Sequence, residues 1–479
     1  MQAGCLRYGR RWWCGPSGYY VFPQIAETIC LSRENQPPRQ GASMAELRSF
    51  RATYYDTAKV EIANVVTQPW DVITPEMQEK YYRADPHNIV RIIRGREMPQ
   101  DSETENVFTR AGRFFGEWLR DGILTRDDTD AMYMYGQRFQ LADSAFTRRG
   151  IITLVRLEDY AAKVILPHER TFPKHNANRL HLMRATKANF GQIFMLYPDP
   201  DAVIPQFLSQ FDSATPMFTV AVDGVTHSVV RITGADHVRF LTEQMNDKQL
   251  FIADGHHRYQ TALDYRNEMF PRLSEEGRRE VGYRMVTLVS MDDPSVTILP
   301  THRVVKGLPD FQKERFIPRL HELFEVERLG GSTSQLLSFL QRLRELATRT
   351  SAFVVCFPDG DFFLARLKDR AAAAAALPGD PHPVVRELDV TILHGLVLEK
   401  MLFLTPELQR SGEHIRYYRD PMDAVGMMER NEAQVAFLLN PTRVHQVRDV
   451  ALAGEAMPQK STDFFPKLLS GLIMRKLDI

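Results

Sequence analysis

The chain has 479 residues, 44% of them hydrophobic, and its 60 basic and 60 acidic side chains give a formal charge of zero. This length predicts two or three domains, and the neutral balance counts against nonspecific nucleic-acid binding, which needs a basic field. No apolar run reaches the roughly 18 to 20 residues of a membrane-spanning helix, so no membrane partner is expected.

The cysteines lie mostly near the start of the chain. Cys5, Cys14 and Cys30 fall in the first thirty residues, and Cys356 stands alone in an apolar run. The body therefore has no disulfide framework and no cysteine cluster for zinc, which suits a reducing cytoplasm. We expect a cytoplasmic protein in which Cys356 is a small core residue.

Residues 1–43 differ from the rest, because they are Arg-rich, aromatic in patches and without sustained periodicity. A targeting presequence and a misassigned upstream start codon both fit this segment. We expect an N-terminal extension over 1–43, disordered or misassigned, with the folded protein beginning near Met44. A main α+β lobe is predicted over 44–310, and a C-terminal α+β portion over 311–479 that folds back on the site.

The first third of the body alternates strand-like and helix-like periodicities. Strands are predicted at 60–66, 87–93, 132–139 and 150–157, and an amphipathic helix at 105–120. Thr74 as N-cap and Pro75 at the first position open another helix. Asp71 stands just before that helix, where a binding residue and a simple turn former fit equally well.

The segment 167–173 begins and ends with proline, which denies it a regular helix. His168 and Glu169 are therefore expected on a constrained loop. Either side chain could serve as a general base if a neighbour tunes its pKa. A local salt bridge between Glu169 and Arg170 or Lys174 explains the same residues equally well.

The most informative stretch begins at residue 251, where an apolar run ends a predicted strand and helical spacing starts at residue 258. The polar residues between them form a strand-to-helix corner: Asp254, Gly255, His256, His257 and Arg258. Backbone N–H groups in the first turn of a helix lack internal partners and lie at the positive end of its dipole. With the tight turn that Gly255 permits and the forked donors of Arg258, the corner is suited to a phosphate.

Plain helix capping is the alternative interpretation, with Asp254 as N-cap, Gly255 as turn residue and Arg258 as a solvated charge. Five consecutive residues able to bind an anion or move a proton favour a functional corner. His256 and His257 do not predict a metal site, because neighbours on a helix point about 100° apart and cannot both face one ion.

Helices are predicted at 311–324, 333–347 and 387–400, and strands at 283–291, 352–357, 362–367 and 432–439. This order predicts an α+β fold with mixed sheets and flanking helices. Polar candidates beyond the corner are His302 and Arg303, which follow the bend at Pro300, and Lys460, Ser461, Thr462 and Lys467. Hydroxyls and positive charge at a turn suit a phosphate or a carboxylate, although the glycines of a P-loop are absent.

From about residue 44 to its end, the chain resembles a widespread bacterial and archaeal family catalogued as domain of unknown function 1015. Five stretches carry the resemblance: 70–73, 167–171, 252–263, 299–303 and 457–467. Two departures are Gln68-Pro69-Trp70, where the family usually reads Pro-Pro-Tyr, and Asp463, where an aromatic residue is common.

The corner at 254–258 also resembles the phosphate-binding signature of the ParB and sulfiredoxin superfamily, which includes kinases that phosphorylate free serine. The resemblance implies a nucleotide-binding corner of that kind. It further implies phosphoryl transfer from ATP or ADP to a small hydroxyl compound such as L-serine. Positioning and charge neutralisation dominate such a reaction, and Mg²⁺ would share that task.

On this hypothesis, residues 255–258 cradle the nucleotide phosphates, Asp254 orients the corner or assists the metal, and Glu169 is the candidate base. His168 and His257 are further catalytic candidates. The candidates for substrate binding are Asp71, His302, Arg303, Lys460, Ser461 and Thr462.

Two other classes of function stay open at this point. The first is a regulatory protein that binds a nucleotide without transferring phosphate. The second is a metal-dependent phosphoesterase or nuclease that uses His168, Glu169 and the paired histidines. The neutral overall charge counts mildly against a polynucleotide substrate. The sequence leaves the true substrate, the phosphate donor and the oligomeric state open.

Overall fold

The computed structural model describes residues 45–171 and 173–479. The expectations for residues 1–43, including those for Cys5, Cys14 and Cys30, lie outside the described residues. Within the described part, a nine-stranded sheet, a six-stranded sheet and flanking helices form the framework, which confirms the predicted α+β class. No helix in this part is long and apolar enough to pass through a lipid bilayer.

The nine-stranded sheet is mixed, as predicted. Its strands are β1 (Leu47–Arg48), β2 (Met132–Leu141), β3 (Ser144–Arg156), β4 (Ile165–Leu166), β5 (Ile193–Tyr197), β6 (Phe218–Val222), β7 (Val225–Ile232), β8 (Leu250–Asp254) and β9 (Tyr283–Ser290). The order is β4-β8-β5-β9-β3-β2-β7-β6, with β1 beside β3. Strand β4 runs parallel to β8, and β5 runs parallel to β9, while the other pairs are antiparallel.

The six-stranded sheet is antiparallel throughout. Its strands are β10 (His302–Val305), β11 (Phe324–Gly330), β12 (Ala352–Cys356), β13 (Phe362–Leu367), β14 (Ile415–Tyr418) and β15 (Val435–Leu439). The order is β11-β13-β12-β15-β10-β14. Strand β10 belongs to this second sheet but lies before residue 310. The proposed boundary between 44–310 and 311–479 stays a prediction.

Helices cover the faces of both sheets. They are α1 (Ile62–Val65), α2 (Pro75–Ala84), α3 (Val90–Ile93), α4 (Val107–Arg120), α5 (Pro173–Thr186), α6 (Val203–Ser209), α7 (Ala235–Met245), α8 (His256–Met269), α9 (Glu275–Val281), α10 (Lys313–Leu323), α11 (Leu336–Leu346), α12 (Arg370–Ala376), α13 (Pro383–Arg386), α14 (Asp389–Ile392), α15 (Pro406–Ser411), α16 (Pro421–Glu429) and α17 (Val444–Leu452). A π-helix, Leu393–Met401, continues α14.

Two predicted strands are wrong. The segment 60–66 contains the short helix α1, and 87–93 ends in α3. Short apolar runs have the same composition in a strand and in a buried helical turn, so periodicity does not separate them. In the segment 87–93, the buried Asn88 favours the helix. Its Oδ1 accepts a hydrogen bond of 2.9 Å from the backbone N–H of Val90 at the start of α3.

The predictions with strong local signals are confirmed. Thr74 caps α2 by accepting a hydrogen bond of 3.2 Å from the N–H of Met77, and Pro75 is the first helical residue. The strands predicted at 132–139 and 150–157 form the β2–β3 hairpin. Cys356 is a buried free thiol in β12, in agreement with its expected place in a core.

The segment 457–467 crosses back onto the first sheet. Phe464–Phe465 pairs with Thr297–Ile298, and the N–H of Met457 donates to the carbonyl of His168 at 2.9 Å. Arg148 of β3 is 1% exposed and donates to the carbonyl of Phe465 at 3.0 Å, which fixes the segment from below. This return brings the last polar candidates next to the corner at 254–258.

Gly255 generates the first testable prediction. Its φ is +98°, a conformation that strains residues with a Cβ, and an added Cβ would lie 2.8 Å from Nε of Arg258. We expect Gly255→Ala to lower the free energy of unfolding by about 2 kcal/mol, measured by urea denaturation, because strain and crowding add.

Gly454→Ala is the matched control, because Gly454 has a φ of +73° and an added Cβ would meet no atom within 4 Å. Only the strain of about 1 kcal/mol should remain there. Equal losses in the two variants would contradict the crowding at Arg258.

Candidate active site

The corner is built by an irregularity in β8. Ile252 pairs with Met195 and Asp254 with Phe194, so Ala253 is an extra residue in the ladder. Such bulges redirect the side chain that follows them and are frequent beside active sites. Gly255 then turns the chain at positive φ and occupies the N-cap of α8.

No side chain caps the start of α8. The alternative in which Asp254 is the N-cap is therefore wrong, because Gly255 holds that position and the Asp254 carboxylate pairs with other groups. N–H groups in the first turn of a helix have no partner within that helix, as a phosphate site requires. Gly255 and the first residues of α8 line a cleft of about 940 Å³.

The cleft collects most of the residues predicted from sequence. The candidates in its wall are Asp71, Glu169, Asp254, Gly255, His256, His257, Arg258, Lys460 and Thr462. These residues come from widely separated parts of the chain, and the fold brings them around one opening. His168, His302, Arg303 and Ser461 are buried behind this wall.

Glu169 has the most unusual environment in the wall. Its side chain is 32% exposed, on the cleft side, and protein surrounds the rest. Burial raises the pKa of Glu169 to about 7, although Lys460 and Lys467 oppose this rise. A carboxyl group with such a pKa can accept a proton near neutral pH and release it again.

His168 is a neutral histidine beneath Glu169. Its Nδ1 donates to the carbonyl of Ile252 at 2.8 Å, so its Nε2 accepts from the hydroxyl of Thr462 at 3.0 Å. The hydroxyl of Thr462 has one proton, and it donates that proton to His168. The same oxygen lies 3.4 Å from Oε1 of Glu169, so it can accept a hydrogen bond from Glu169 when Glu169 is protonated. Burial lowers the pKa of His168 to about 4, and in this structure His168 positions Thr462. Its proposed catalytic role stays a prediction.

His256 and His257 have different surroundings, as their neighbouring positions on α8 require. The Nε2 of His256 accepts from the backbone N–H of His168 at 3.3 Å, and burial lowers the pKa of His256 well below its usual value. The Nδ1 of His257 donates to Oδ1 of Asn176 at 2.8 Å. Both histidines line the cleft. His256 is neutral and lies with its Nδ1 3.9 Å from Oε2 of Glu169, while His257 lies beside α5.

A chain of opposite charges joins the corner to the C-terminal segment. Asp254 accepts from Arg258 and lies 3.3 Å from Nζ of Lys467, which is also 3.0 Å from Asp463. Asp463 in turn accepts from Arg419 at 2.8 Å. Burial alone would raise the pKa of Asp254, but Lys467 and Arg258 hold it well below its usual value, so this carboxylate is ionised.

Lys460 is held in the wall by residues behind it. Its φ is +58°, in the left-handed region that is strained for residues other than glycine. Arg303 donates to the carbonyl of Lys460 at 2.9 Å, and the hydroxyl of Thr442 donates to the carbonyl of Ser461 at 2.7 Å. The predicted contact of Arg303 and Ser461 with a substrate stays a prediction, because in this structure both residues fix the backbone that presents Lys460.

His302 lies in β10, where its Nδ1 accepts from the backbone N–H of Leu439 at 3.2 Å. Burial, followed by the nearby Arg303, lowers the pKa of His302 to about 3. Its side chain does not reach the cleft, so its proposed role in substrate binding also remains only a prediction.

Several residues of the cleft were missed from sequence. His394 enters the wall from the π-helix, and its Nε2 lies 3.2 Å from Nε of Arg303. Trp70 lies under the guanidinium groups of Arg94 and Arg179, at 4.9 and 4.6 Å from the ring centre. The signal for Trp70 was its place in the family pattern, whereas a π-helix has no reliable sequence signal.

Among the described residues, no three His, Cys, Asp or Glu side chains come together in a cluster that could hold a metal ion.

The model of the family described as Protein of unknown function (DUF1015) matches residues 47–391. The chain belongs to this family. The match contains the corner and the loop at 167–171, and it confirms the resemblance predicted from sequence. The segment 457–467 lies beyond the matched range. No curated protein matches the chain.

Solved structures of other proteins show only loose similarity. A conserved hypothetical protein from Pyrococcus furiosus has 15% identity and a TM-score of 0.31, covering 66% of this chain and 93% of its own. A free serine kinase in complex with AMP has 15% identity and a TM-score of 0.34, covering 68% and 91%. A mutant of free serine kinase in complex with ADP has 13% identity and a TM-score of 0.35, with the same coverage. At TM-scores this low, the site is interpreted from its own residues.

The charge chain generates a second prediction. Lys467 is 11% exposed and compensates both Asp254 and Asp463. We expect Lys467→Met to lower the free energy of unfolding at pH 7 by about 3 kcal/mol or more, because it leaves buried carboxylates without their partner. Chemical denaturation at pH 7 measures the effect.

Lys476→Met is the control, since the Lys476 side chain is 41% exposed and contacts Asp478 at the surface. It should change stability by less than about 1 kcal/mol. Adding Asp254→Asn to Lys467→Met should recover part of the loss. No recovery would show that the charge on Asp254 is not the cause.

Proposed function

We propose that this chain is a small-molecule kinase that transfers a phosphoryl group from ATP or ADP to a small hydroxyl compound such as L-serine. The observation that carries the proposal is Glu169. Its carboxyl group, with a pKa raised to about 7, faces the same cleft as the uncapped N-terminus of α8 and the cation Lys460. A tunable base beside an anion cradle suits phosphoryl transfer.

The phosphates of the nucleotide would lie against the corner at 254–258. The start of α8 supplies N–H groups and the positive end of a dipole worth about half an elementary charge. Gly255 lets the phosphates approach the backbone closely, and Lys460 faces them from the opposite segment. Asp254 keeps Arg258 and Lys467 in place through its ion pairs.

The acceptor would lie between Glu169 and the terminal phosphate. Its hydroxyl proton passes to the Glu169 carboxylate, and its oxygen forms the new bond to phosphorus. The bond from that phosphorus to the bridging oxygen breaks, and the departing nucleotide keeps the electron pair. Thr462, held by His168, can accept a hydrogen bond from the Glu169 carboxyl group once that group has taken the proton.

Magnesium in nucleotide enzymes is usually held by one or two carboxylates together with the phosphates. Asp71 lies in the cleft wall, and among the described residues it forms no ion pair. Asp71 is therefore the carboxylate that fits the metal, whereas Asp254 and Asp463 are already paired with cations. When bound, Mg²⁺ would supply charge neutralisation for the phosphates.

A phosphoesterase that uses His168 as a metal ligand is disfavoured by the same geometry. Both ring nitrogens of His168 have partners, the carbonyl of Ile252 and the hydroxyl of Thr462. A metal would have to displace one of these buried hydrogen bonds.

The proposal is tested by incubating purified protein with Mg²⁺, ATP or ADP, and L-serine or other small hydroxyl compounds, and by measuring the phosphorylated product. We expect turnover, and we expect Glu169→Gln to lower kcat by about 10²- to 10⁴-fold, since the amide cannot take the proton. Glu268→Gln is the control, because Glu268 pairs with Arg184 outside the cleft. Absence of turnover with both nucleotides across these compounds would remove the proposal. A nucleotide that stabilises the fold without being consumed would indicate the regulatory alternative.

The raised pKa of Glu169 also predicts a pH dependence of stability. A folded-state pKa of about 7 against an ordinary value of 4.5 means that the folded protein binds the extra proton, so stability falls as pH rises between those values. We expect Glu169→Gln to match the wild type near pH 4.5 and to exceed its free energy of unfolding by about 1 to 2 kcal/mol at pH 8, after allowance for partial exposure.

Urea denaturation across pH 4.5–8 measures this difference. Glu268→Gln should show a small effect of the opposite sign, because Arg184 lowers the pKa of Glu268 and its ion pair stabilises the fold above the ordinary pKa. A constant difference between Glu169→Gln and the wild type would contradict the assignment of a neutral Glu169.

A further inference from the structure

A second cavity of about 530 Å³ adjoins the cleft. The two spaces share Trp70, Asp71, Arg179 and Arg258 in their walls. We call the second space the arginine cavity, because Arg94, Arg96, Arg179, Arg258 and Arg284 line it. Its volume lies within the range of about 300–1,000 Å³ that small-molecule sites occupy.

Arg284 is the buried end of this cluster. It is 6% exposed, its Nη2 donates to the carbonyl of Gly191 at 3.1 Å, and its Nε has no hydrogen-bond partner among the described residues. Burial, then the nearby Arg258 and Arg475, lower the pKa of Arg284 to about 9. The neighbouring charges that act on Arg284 are therefore positive, like its own.

The charge of Arg284 is not compensated within the cavity. Asp71 and Glu97 are the acids in the wall, and neither forms an ion pair with Arg284 within the described ranges. Arg179 differs, because Asp71 and Asp254 oppose the lowering of its pKa by burial and by Arg258. A buried cation without an anion is costly, so a negatively charged ligand would relieve Arg284.

Gly191 lets two polar side chains of the cavity wall approach the backbone closely. A Cβ added there would lie 3.3 Å from Nη1 of Arg258 and 3.5 Å from Oγ of Ser470. Arg258, Ser470 and Gly191 all line the cavity, so this part of its wall is polar.

Apolar side chains also line the cavity. They are Ile92, Val107, Phe108, Leu182 and Phe190. A ligand that satisfies both kinds of lining therefore needs anionic groups joined to a flat or apolar body. A nucleotide combines these parts, and its length allows it to continue past the shared arginines into the cleft.

We propose that the arginine cavity binds the nucleoside part of the phosphate donor, with the phosphates extending over Arg284, Arg179 and Arg258 toward the cleft. This inference rests on the proposed kinase function and adds to it the position and direction of the nucleotide. Val107 would contact the base region, and Arg284 the phosphate nearest the ribose.

Calorimetric titration of the full chain with Mg²⁺·ATP and with inorganic tripolyphosphate tests the inference. Val107→Trp enlarges one apolar side chain of the lining, so it should weaken ATP binding about tenfold or more while changing tripolyphosphate binding by less than about twofold. Arg284→Met should weaken binding of both ligands about tenfold, since it removes a charged donor.

Thermal unfolding of the ligand-free variants separates binding from folding. Arg284→Met should unfold at the same temperature as the wild type or higher, because a buried uncompensated charge is removed. A large drop in melting temperature for Arg284→Met would assign it a structural role and overturn its part in binding.

Unchanged ATP affinity in both variants would overturn the placement of the nucleotide while leaving the kinase proposal intact. Equal loss of ATP and tripolyphosphate binding in Val107→Trp would overturn the placement of the base. Normal binding effects without any turnover would instead remove the kinase proposal alone. If the wild type binds neither ligand, both proposals fall.

Discussion

The site depends on one ionised carboxylate. Asp254 ends a strand of the first sheet, and it is held between Arg258, one turn along the following helix, and Lys467, which arrives from a distant part of the chain. Each cation would lose an anionic partner without the carboxylate, and the carboxylate would be protonated or displaced without the two cations. The interaction thus fixes the direction of a helix and the position of the returning segment together.

Around this group, charged and neutral polar residues have separate tasks. Buried arginines such as Arg148 and Arg303 donate hydrogen bonds to backbone carbonyls and so hold irregular segments in place. The buried histidines are neutral and orient hydroxyl or backbone groups. Glu169 differs from all of them, because its group has room beside it and its proton is weakly held near neutral pH. Rigid surroundings with one titratable group are what a proton-transfer site needs.

Much of the corner could be predicted from sequence because its signals are local. A glycine between an apolar strand and a helical pattern requires a turn, and Gly255 has the positive φ that only such a residue adopts easily. The loop with His168 and Glu169 was predictable from its flanking prolines. The strands at 60–66 and 87–93 were wrong because short apolar runs carry no period long enough to distinguish them from helical turns.

The rest of the site was beyond the reach of local patterns. Ser461 and Arg303 are buried behind the wall, where the Ser461 hydroxyl donates to the carbonyl of Pro458 and Arg303 donates to the carbonyl of Lys460. The second contact joins residues far apart in the chain. The π-helix that carries His394 differs from an α-helix by one residue in its hydrogen-bond spacing, which side-chain composition does not encode. Which residues line the cleft and which lie buried behind it depends on tertiary packing, so local sequence patterns do not predict it.

The return of segment 457–467 has a consequence for biosynthesis. Translation completes the corner long before the ribosome reaches Lys467, so a nascent chain that already contains Asp254 and Glu169 lacks the lysine and the threonine that complete their surroundings. Domains generally fold in the order in which they emerge. A partly synthesised or clipped polypeptide would therefore lack the ion pair that Lys467 makes with Asp254 and the hydroxyl that Thr462 places beside Glu169.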